Sequence, residues 1–210
     1  MAIASLRADA ARNRARIVAA AAEVFAERGL DASTAEIADR AGVGEATIYR
    51  RFPTKDDLVA AIVATKMEET LEIGAECLEE ADPWRGLERF LYEMTERASR
   101  DQGVSDAAKD RCVASAELAP QRKRMLDLCT ELVRRAQRAG LVREDVAGQD
   151  LIFLVTAAGS LHLPFPDLRE DLWKRYLGLL LDGLRPEGAT KLRPGAPPRR
   201  AIELPQVSPS

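Results

Sequence analysis

The chain has 210 residues, 31 basic against 34 acidic side chains for a formal net charge of −3, and 46% hydrophobic residues. That length holds one compact head and one larger core, and the slightly acidic balance excludes a dedicated nucleic-acid coat protein, which would be strongly basic. Three widely spaced cysteines (Cys77, Cys112, Cys129) and a single histidine argue against a disulfide framework and against a zinc site.

In chain order, residues 1–11 read as a flexible basic arm. Residues 12–28 predict a first helix with Ile17, Ala21, Val24 and Phe25 on one face and Gly29 as its stop. Ser33 followed by Glu36 is a capping box, and Ile37, Ala38 and Ala41 form the stripe of the short helix it opens. Gly42 supplies the permissive backbone for a turn, where a side chain would strain it. Gly44 caps the next helix, in which Ile48 and Phe52 lie four apart on the buried side. Pro53 breaks the chain, and Thr54 with Asp57 opens a long helix to about Glu80, striped by Leu58, Val59, Ile62, Val63, Met67, Leu71 and Leu78.

Asp82-Pro83 is a cap plus first-turn proline for a helix with Trp84, Leu87, Phe90, Leu91, Met94 and Ala98 inward. Helices over 105–116 and 120–139 follow, the second carrying Met125, Leu128, Cys129, Leu132 and Ala136 and stopping at Gly140. Residues 151–161 and 168–184 complete the set, the last opened by Asp167 with Glu170. Residue type alone allows a strand at Leu151–Val155, but lengths and caps favour helix. From residue 186 to 210, proline, glycine and serine with few apolar residues read as a disordered tail. The apolar run Leu151–Phe165 is interrupted by Thr156, Ser160, His162 and Pro164 and falls short of the ~20 residues that span a bilayer. The N-terminus lacks a hydrophobic signal core, so a cytoplasmic protein without a membrane partner is expected.

The face of the second short helix opposite Ile48 and Phe52 carries Glu45, Ala46, Thr47, Tyr49, Arg50 and Arg51. Such a mixture of donors, acceptors and a methyl suits base edges and phosphates in a major groove. Residues 1–60 hold nine acidic and nine basic side chains, so any basic footprint is local: Arg7, Arg12, Arg14 and Arg16 early on, and Arg50, Arg51 and Lys55 at the reading helix.

The stretch Ile17-Val-Ala-Ala-Ala-Ala-Glu-Val-Phe-Ala-Glu-Arg-Gly29, with Ile37-Ala and Ala41-Gly-Val-Gly-Glu-Ala-Thr-Ile-Tyr-Arg-Arg-Phe-Pro-Thr-Lys-Asp-Asp-Leu58, resembles the DNA-binding head of the TetR family of one-component bacterial regulators. The resemblance is nearly ungapped over residues 12–71. Beyond the head it rests on helical layout and on Tyr176-Leu-Gly-Leu-Leu-Leu-Asp-Gly-Leu-Arg-Pro-Glu-Gly188, similar to a C-terminal type among actinobacterial members. It implies an all-α protein: a three-helix head over 12–71 with its helix-turn-helix at 33–52, and a ligand-binding and dimerisation domain over 72–185. It further implies a homodimer on a palindromic double-stranded operator, with no cofactor, and release by a small apolar or amphipathic effector. Activation instead of repression, or a helical adaptor with an idle head, stay open as alternatives. No acid–base or nucleophile constellation suggests an enzyme.

By family position, Thr47, Tyr49 and Lys55 resemble phosphate-binding residues, and Ser33 or Thr34 would present a hydroxyl at a helix start, where anions are favoured. Arg51 could fork onto a guanine, Glu45 accept from a cytosine amino group, and Ala46 meet a thymine methyl. Arg50 and Arg51 are equally explained by phosphate attraction, Glu45 by a pair with Arg50, and Tyr49 by packing. Gly44 stands where the family often has serine. In the body, Trp84, Tyr92, Met94, Arg111, Cys112, Ser115, Leu132, His162 and Trp173 are candidates to line an effector cavity, although for most of them packing in the core is the simpler expectation. The helices over 151–161 and 168–184 are too apolar for a solvated face and are the candidates for the two-fold interface.

Overall fold

The computed structural model describes residues 2–100, 116–159 and 171–203. All regular structure among them is helical: α1 Ala2–Arg28, α2 Thr34–Ala41, α3 Glu45–Arg51, α4 Lys55–Glu79, α5 Pro83–Arg100, a 3₁₀ turn Ala116–Leu118, α6 Ala119–Arg138, α7 Gly148–Gly159, α8 Leu172–Gly183 and α9 Arg199–Glu203. The chain divides into two units. The first holds residues 1–66 with 101–118, and the second holds 67–100 with 119–210, so α4 contributes its first half to one and its second half to the other.

In the first unit, Ile17, Ala21 and Phe25 of α1 are fully buried with Ile37 of α2 and Ile48 of α3, and Leu58, Val59 and Ile62 of α4 are nearly so. Burying each of the larger side chains among them stabilises the unit by about 1.5–3 kcal/mol before entropy is counted. Gly29 ends α1 at φ 71, its N–H bonded to the Phe25 carbonyl at 2.9 Å. Arg40 of α2 reaches Glu23 at 3.1 Å and Glu27 at 2.8 Å on α1. These groups are exposed, and such pairs orient more than they stabilise.

One expectation is corrected at the N-terminus. Residues 2–11 continue α1 and do not form an irregular arm. They hold five alanines and a leucine with no glycine or proline, a composition of high helix propensity.

In the second unit, Leu71 and Cys77 of α4, Trp84, Leu87, Phe90, Leu91 and Met94 of α5, Leu128, Cys129, Leu132 and Ala136 of α6, Leu151 and Ala158 of α7, and Trp173, Leu177 and Leu181 of α8 share one core. Two close helix approaches are set by glycine. A Cβ on Gly86 would stand 2.3 Å from the Cys77 carbonyl oxygen, and one on Gly148 would stand 2.5 Å from the Thr130 backbone nitrogen. The turn after α6 is tied by Gln137, whose Nε2 donates to the carbonyls of Arg143 at 3.0 Å and Val146 at 2.9 Å. The helix expected at 105–116 and the start of the helix expected at 168 lie outside the described residues, apart from Ala116 in the 3₁₀ turn.

The tail is the second correction. Residues 186–203 lie on the body. Arg143 donates to the Thr190 carbonyl, and Leu192 N–H donates to Asp145 at 2.9 Å. Gln149 Nε2 donates to the Pro197 carbonyl at 2.8 Å. Arg199 pairs with Asp127 at 2.5 Å and donates to Thr130 Oγ1 at 3.0 Å, and the buried Arg122 donates to the Glu203 carbonyl at 3.2 Å. Few of these contacts are apolar, which is why an estimate from hydrophobic composition misses them.

Candidate nucleic-acid interface

The α2–turn–α3 segment is held by local chemistry at each corner. Glu36 N–H donates to Ser33 Oγ at 3.2 Å, while Ser33 N–H and its hydroxyl donate to Glu36 Oε2 at 2.8 and 2.9 Å. The Ser33 hydroxyl is thereby committed to the cap, which leaves it no proton for a phosphate. The same bonds hold the Glu36 carboxyl below its ordinary pKa. Gly42 caps α2 at φ 63, its N–H bonded to the Asp39 carbonyl at 3.0 Å. Gly44 caps α3 at φ −71 without a side-chain bond.

Ile48 and Phe52 are buried and fix the rotation of α3. With those two inward, Arg50 and Ala46 stand at the centre of the exposed face, Thr47 on its shoulder, Tyr49 and Arg51 on opposite flanks, and Glu45 nearest the buried side. Burial follows that order only in part. Glu45, Ala46, Tyr49 and Arg50 are exposed, whereas Thr47 and Arg51 are half-buried, and the Arg51 Nε is enclosed without a hydrogen-bond partner. Arg50 is therefore the freer of the two arginines, a distinction that the 100° helical rotation already contained. No pair joins Glu45 to Arg50 among the described ion pairs.

Thr34, at the first position of α2, has its Oγ1 3.2 Å from the Tyr49 hydroxyl. When Thr34 donates across that gap, the tyrosine proton is free to point outward. The two hydroxyls make one polar spot joining the start of α2 to the reading face. Lys55 Nζ donates to the Leu30 carbonyl at 2.9 Å, and its other two protons are uncommitted. Among the early arginines, Arg16 donates to the Ala41 carbonyl at 2.6 Å, Arg12 pairs with Asp9, and Arg14 lies 5.5 Å over the Phe52 ring. Arg16 is thus a clamp on the end of α2, a role its place in the sequence did not suggest.

The body candidates separate into groups. Trp84, Met94, Leu132 and Trp173 are core residues, and Tyr92 packs against them with its ring centroid 6.1 Å from that of Trp173. Trp84 is covered by the Arg185 guanidinium, 3.3 Å from its ring centroid. Two turns of α5, about 12 Å, separate Trp84 from Tyr92. Arg111, Cys112, Ser115 and His162 lie outside the described residues. Among the described residues no helix is long and apolar enough to cross a membrane, and no group of three or more His, Cys, Asp or Glu is arranged to hold a metal.

A three-helix head with a capped helix-turn-helix, followed by an all-helical body, defines the class of one-component DNA-binding regulators. Comparison with known proteins agrees. Residues 17–62 match the model for bacterial regulatory proteins of the tetR family, and residues 82–186 match the C-terminal domain of SbtR-like transcriptional regulators. The HTH-type transcriptional repressor BepR of Brucella suis is 33% identical over 147 residues, covering 64% of this chain and 70% of that protein. Among solved structures, a TetR regulatory protein from Mycobacterium vanbaalenii is 34% identical with a TM-score of 0.65, covering 86% of this chain and 99% of that one. The regulator SCO0520 from Streptomyces coelicolor is 33% identical with a TM-score of 0.63, covering 83% and 99%. The chain belongs to the TetR family of transcriptional regulators.

Proposed function

We propose that this regulator is a homodimeric repressor that binds a palindromic operator and is released by a small, largely apolar effector taken up by the body. The observation that carries the DNA reading is the outward face of α3, with Arg50 and Ala46 at its centre and Tyr49, Thr47 and Lys55 around it. Ala46 and Arg50 read base edges, with Arg51 at the flank of that face and Glu45 nearest the buried side. Thr34, Tyr49, Thr47 and Lys55 hold phosphates and set the register. Ser33 serves through the helix it caps. Repression is favoured over activation by the similarity to a repressor over most of the chain. A cytoplasmic location follows from a DNA operator as partner.

Operator fragments selected from genomic DNA by the purified protein provide the test. Lys55→Ala should weaken all sequences alike and lower the slope of log affinity against log salt by about one unit. Arg50→Ala should relax preference at one base by ~1–3 kcal/mol, and Arg51→Ala should do so only if its flank position reaches a base. Selection of no common sequence, or salt-independent binding, refutes the reading. Compounds that bind the body are then titrated against operator binding. An inducer must bind the DNA-incompetent arrangement more tightly, and DNA must weaken its binding by the same factor. If every body-binding compound leaves operator affinity unchanged, release by an effector is wrong and the DNA assignment stands.

A further inference from the structure

The second half of α5 turns one polar side chain into the core. Leu87, Leu91 and Thr95 follow one another at four-residue spacing, and all three are 0% exposed. The Thr95 hydroxyl has no hydrogen-bond partner. Threonines elsewhere in these helices satisfy theirs on the carbonyl four residues earlier: Thr65 on Ala61 at 2.9 Å, Thr130 on Leu126 at 2.6 Å and Thr156 on Ile152 at 2.9 Å. Thr95 forgoes that bond, although an unsatisfied buried hydroxyl costs free energy and is uncommon in native cores.

The surroundings are apolar and aromatic. Tyr92, almost one turn before Thr95, is half-buried, and its ring meets that of Trp173 on α8 with an interplanar angle of 59°. Leu91 and Met94 are buried beside it. At the end of α7, a Cβ on Gly159 would stand 2.6 Å from Ala98 Cβ and 3.5 Å from the Thr95 carbonyl oxygen. The absence of a side chain at Gly159 thus keeps α7 close to α5 at this level.

We propose that the Thr95 hydroxyl is the polar anchor for a ligand of the body: an uncharged, flat, largely apolar molecule with one hydroxyl or carbonyl group, held against Tyr92 and Trp173. The inference rests on the reading that the body takes a small effector, and it names the chemistry of that effector. A hydroxyl both donates and accepts, so an alcohol, a phenol or a ketone satisfies it. Lys174 Nζ lies 5.7 Å from the Trp173 ring centroid, but Leu91, Met94 and Ala98 on α5 are uncharged, so a carboxylate or ammonium at the hydroxyl itself would be left uncompensated. Tyr92, reaching solvent one turn away, marks the side from which the ligand enters.

The probes are 1-naphthol and 1-methylnaphthalene, which match in shape and differ in the hydroxyl, and calorimetry on the full chain measures their binding. The wild type should prefer 1-naphthol by about 5–10-fold, the worth of one neutral hydrogen bond. Thr95→Val should lose that preference with 1-methylnaphthalene unaffected, and Thr95→Ser should retain it. Without ligand, Thr95→Val removes an unsatisfied group at constant shape and should raise Tm by about 2–6 °C. The proposal is overturned by an unchanged preference in Thr95→Val, by a lowered Tm in that variant, or by failure of both probes to bind the wild type at millimolar concentration. These readouts do not involve DNA. A protein that passes them and still holds its operator when ligand-bound would overturn effector release and leave the anchor in place.

Discussion

Gly42 and Gly44 are two residues apart in the same turn and behave differently. Gly42 has φ 63, and a Cβ there would stand 2.9 Å from Arg16 Nη2, the far end of a flexible side chain. The backbone conformation is thus the main obstacle, and Gly42→Ala should destabilise the head by about 1–2 kcal/mol. Gly44 has an ordinary φ and open space around a built Cβ. Gly44→Ser should stabilise α3 by a few tenths of a kcal/mol, roughly the difference between serine and glycine caps, and should tighten DNA binding through an added hydroxyl. Urea midpoints at constant m, with DNA titrations, check both. At Gly86 the neighbour is the Cys77 backbone carbonyl, which cannot step aside, so Gly86→Ala should cost about 1–3 kcal/mol. Burial pushes the thiols of Cys77 and Cys129 up to about 11 and about 12, which keeps both protonated at neutral pH.

Among the elements, the C-terminal segment departs furthest from expectation. Composition alone predicts that residues 186–210 are dispensable, yet residues 190–203 are fastened at five points to α6, the α6–α7 turn and α7. Deleting 186–210 should therefore lower Tm measurably, and an unchanged Tm would show that the fastening contributes nothing. Its pH dependence has a definite sign. The Arg143 guanidinium, together with Leu192 N–H, holds the Asp145 carboxyl down to about 2 from an ordinary 3.8. A depressed carboxylate pKa contributes stability above the unfolded value and loses it as pH falls through the folded one. Asp145→Asn should thus be destabilising at pH 5 and no longer so near pH 2, read from denaturant midpoints at each pH.

For the molecule as a whole, one apolar surface stands exposed among the described residues. Phe153 on α7 and Leu179 on α8 are 53% and 59% exposed, with Tyr176 at 38%. Ile152, Leu154, Val155 and Leu180 are half-buried around them. Large apolar side chains gathered on two packed helices mark an association surface, and a two-fold partner presents the same patch in return. Phe153→Glu with Leu179→Glu should give a protein of monomer mass in sedimentation that keeps its helical circular dichroism. It should bind operator far more weakly, because each head then docks alone. A dimer that survives both charges would place the interface elsewhere.

The head was legible in the sequence because its determinants are local. A capping box spans four residues, a turn needs glycine at one position, and a buried stripe repeats every three or four, so Ser33–Glu36, Gly42 and Ile48–Phe52 could be read without knowing what they touch. The same periodicity places Thr95 on a buried face, and nothing local says that its hydroxyl goes unpartnered. What only the tertiary structure decided depends on residues far apart in the chain: Arg16 on the Ala41 carbonyl, Arg185 over Trp84, and Arg199 on Asp127. Long polar side chains choose among many distant carbonyls and carboxylates. The winner is set by where packing brings the backbone, and no pattern in the sequence encodes that directly.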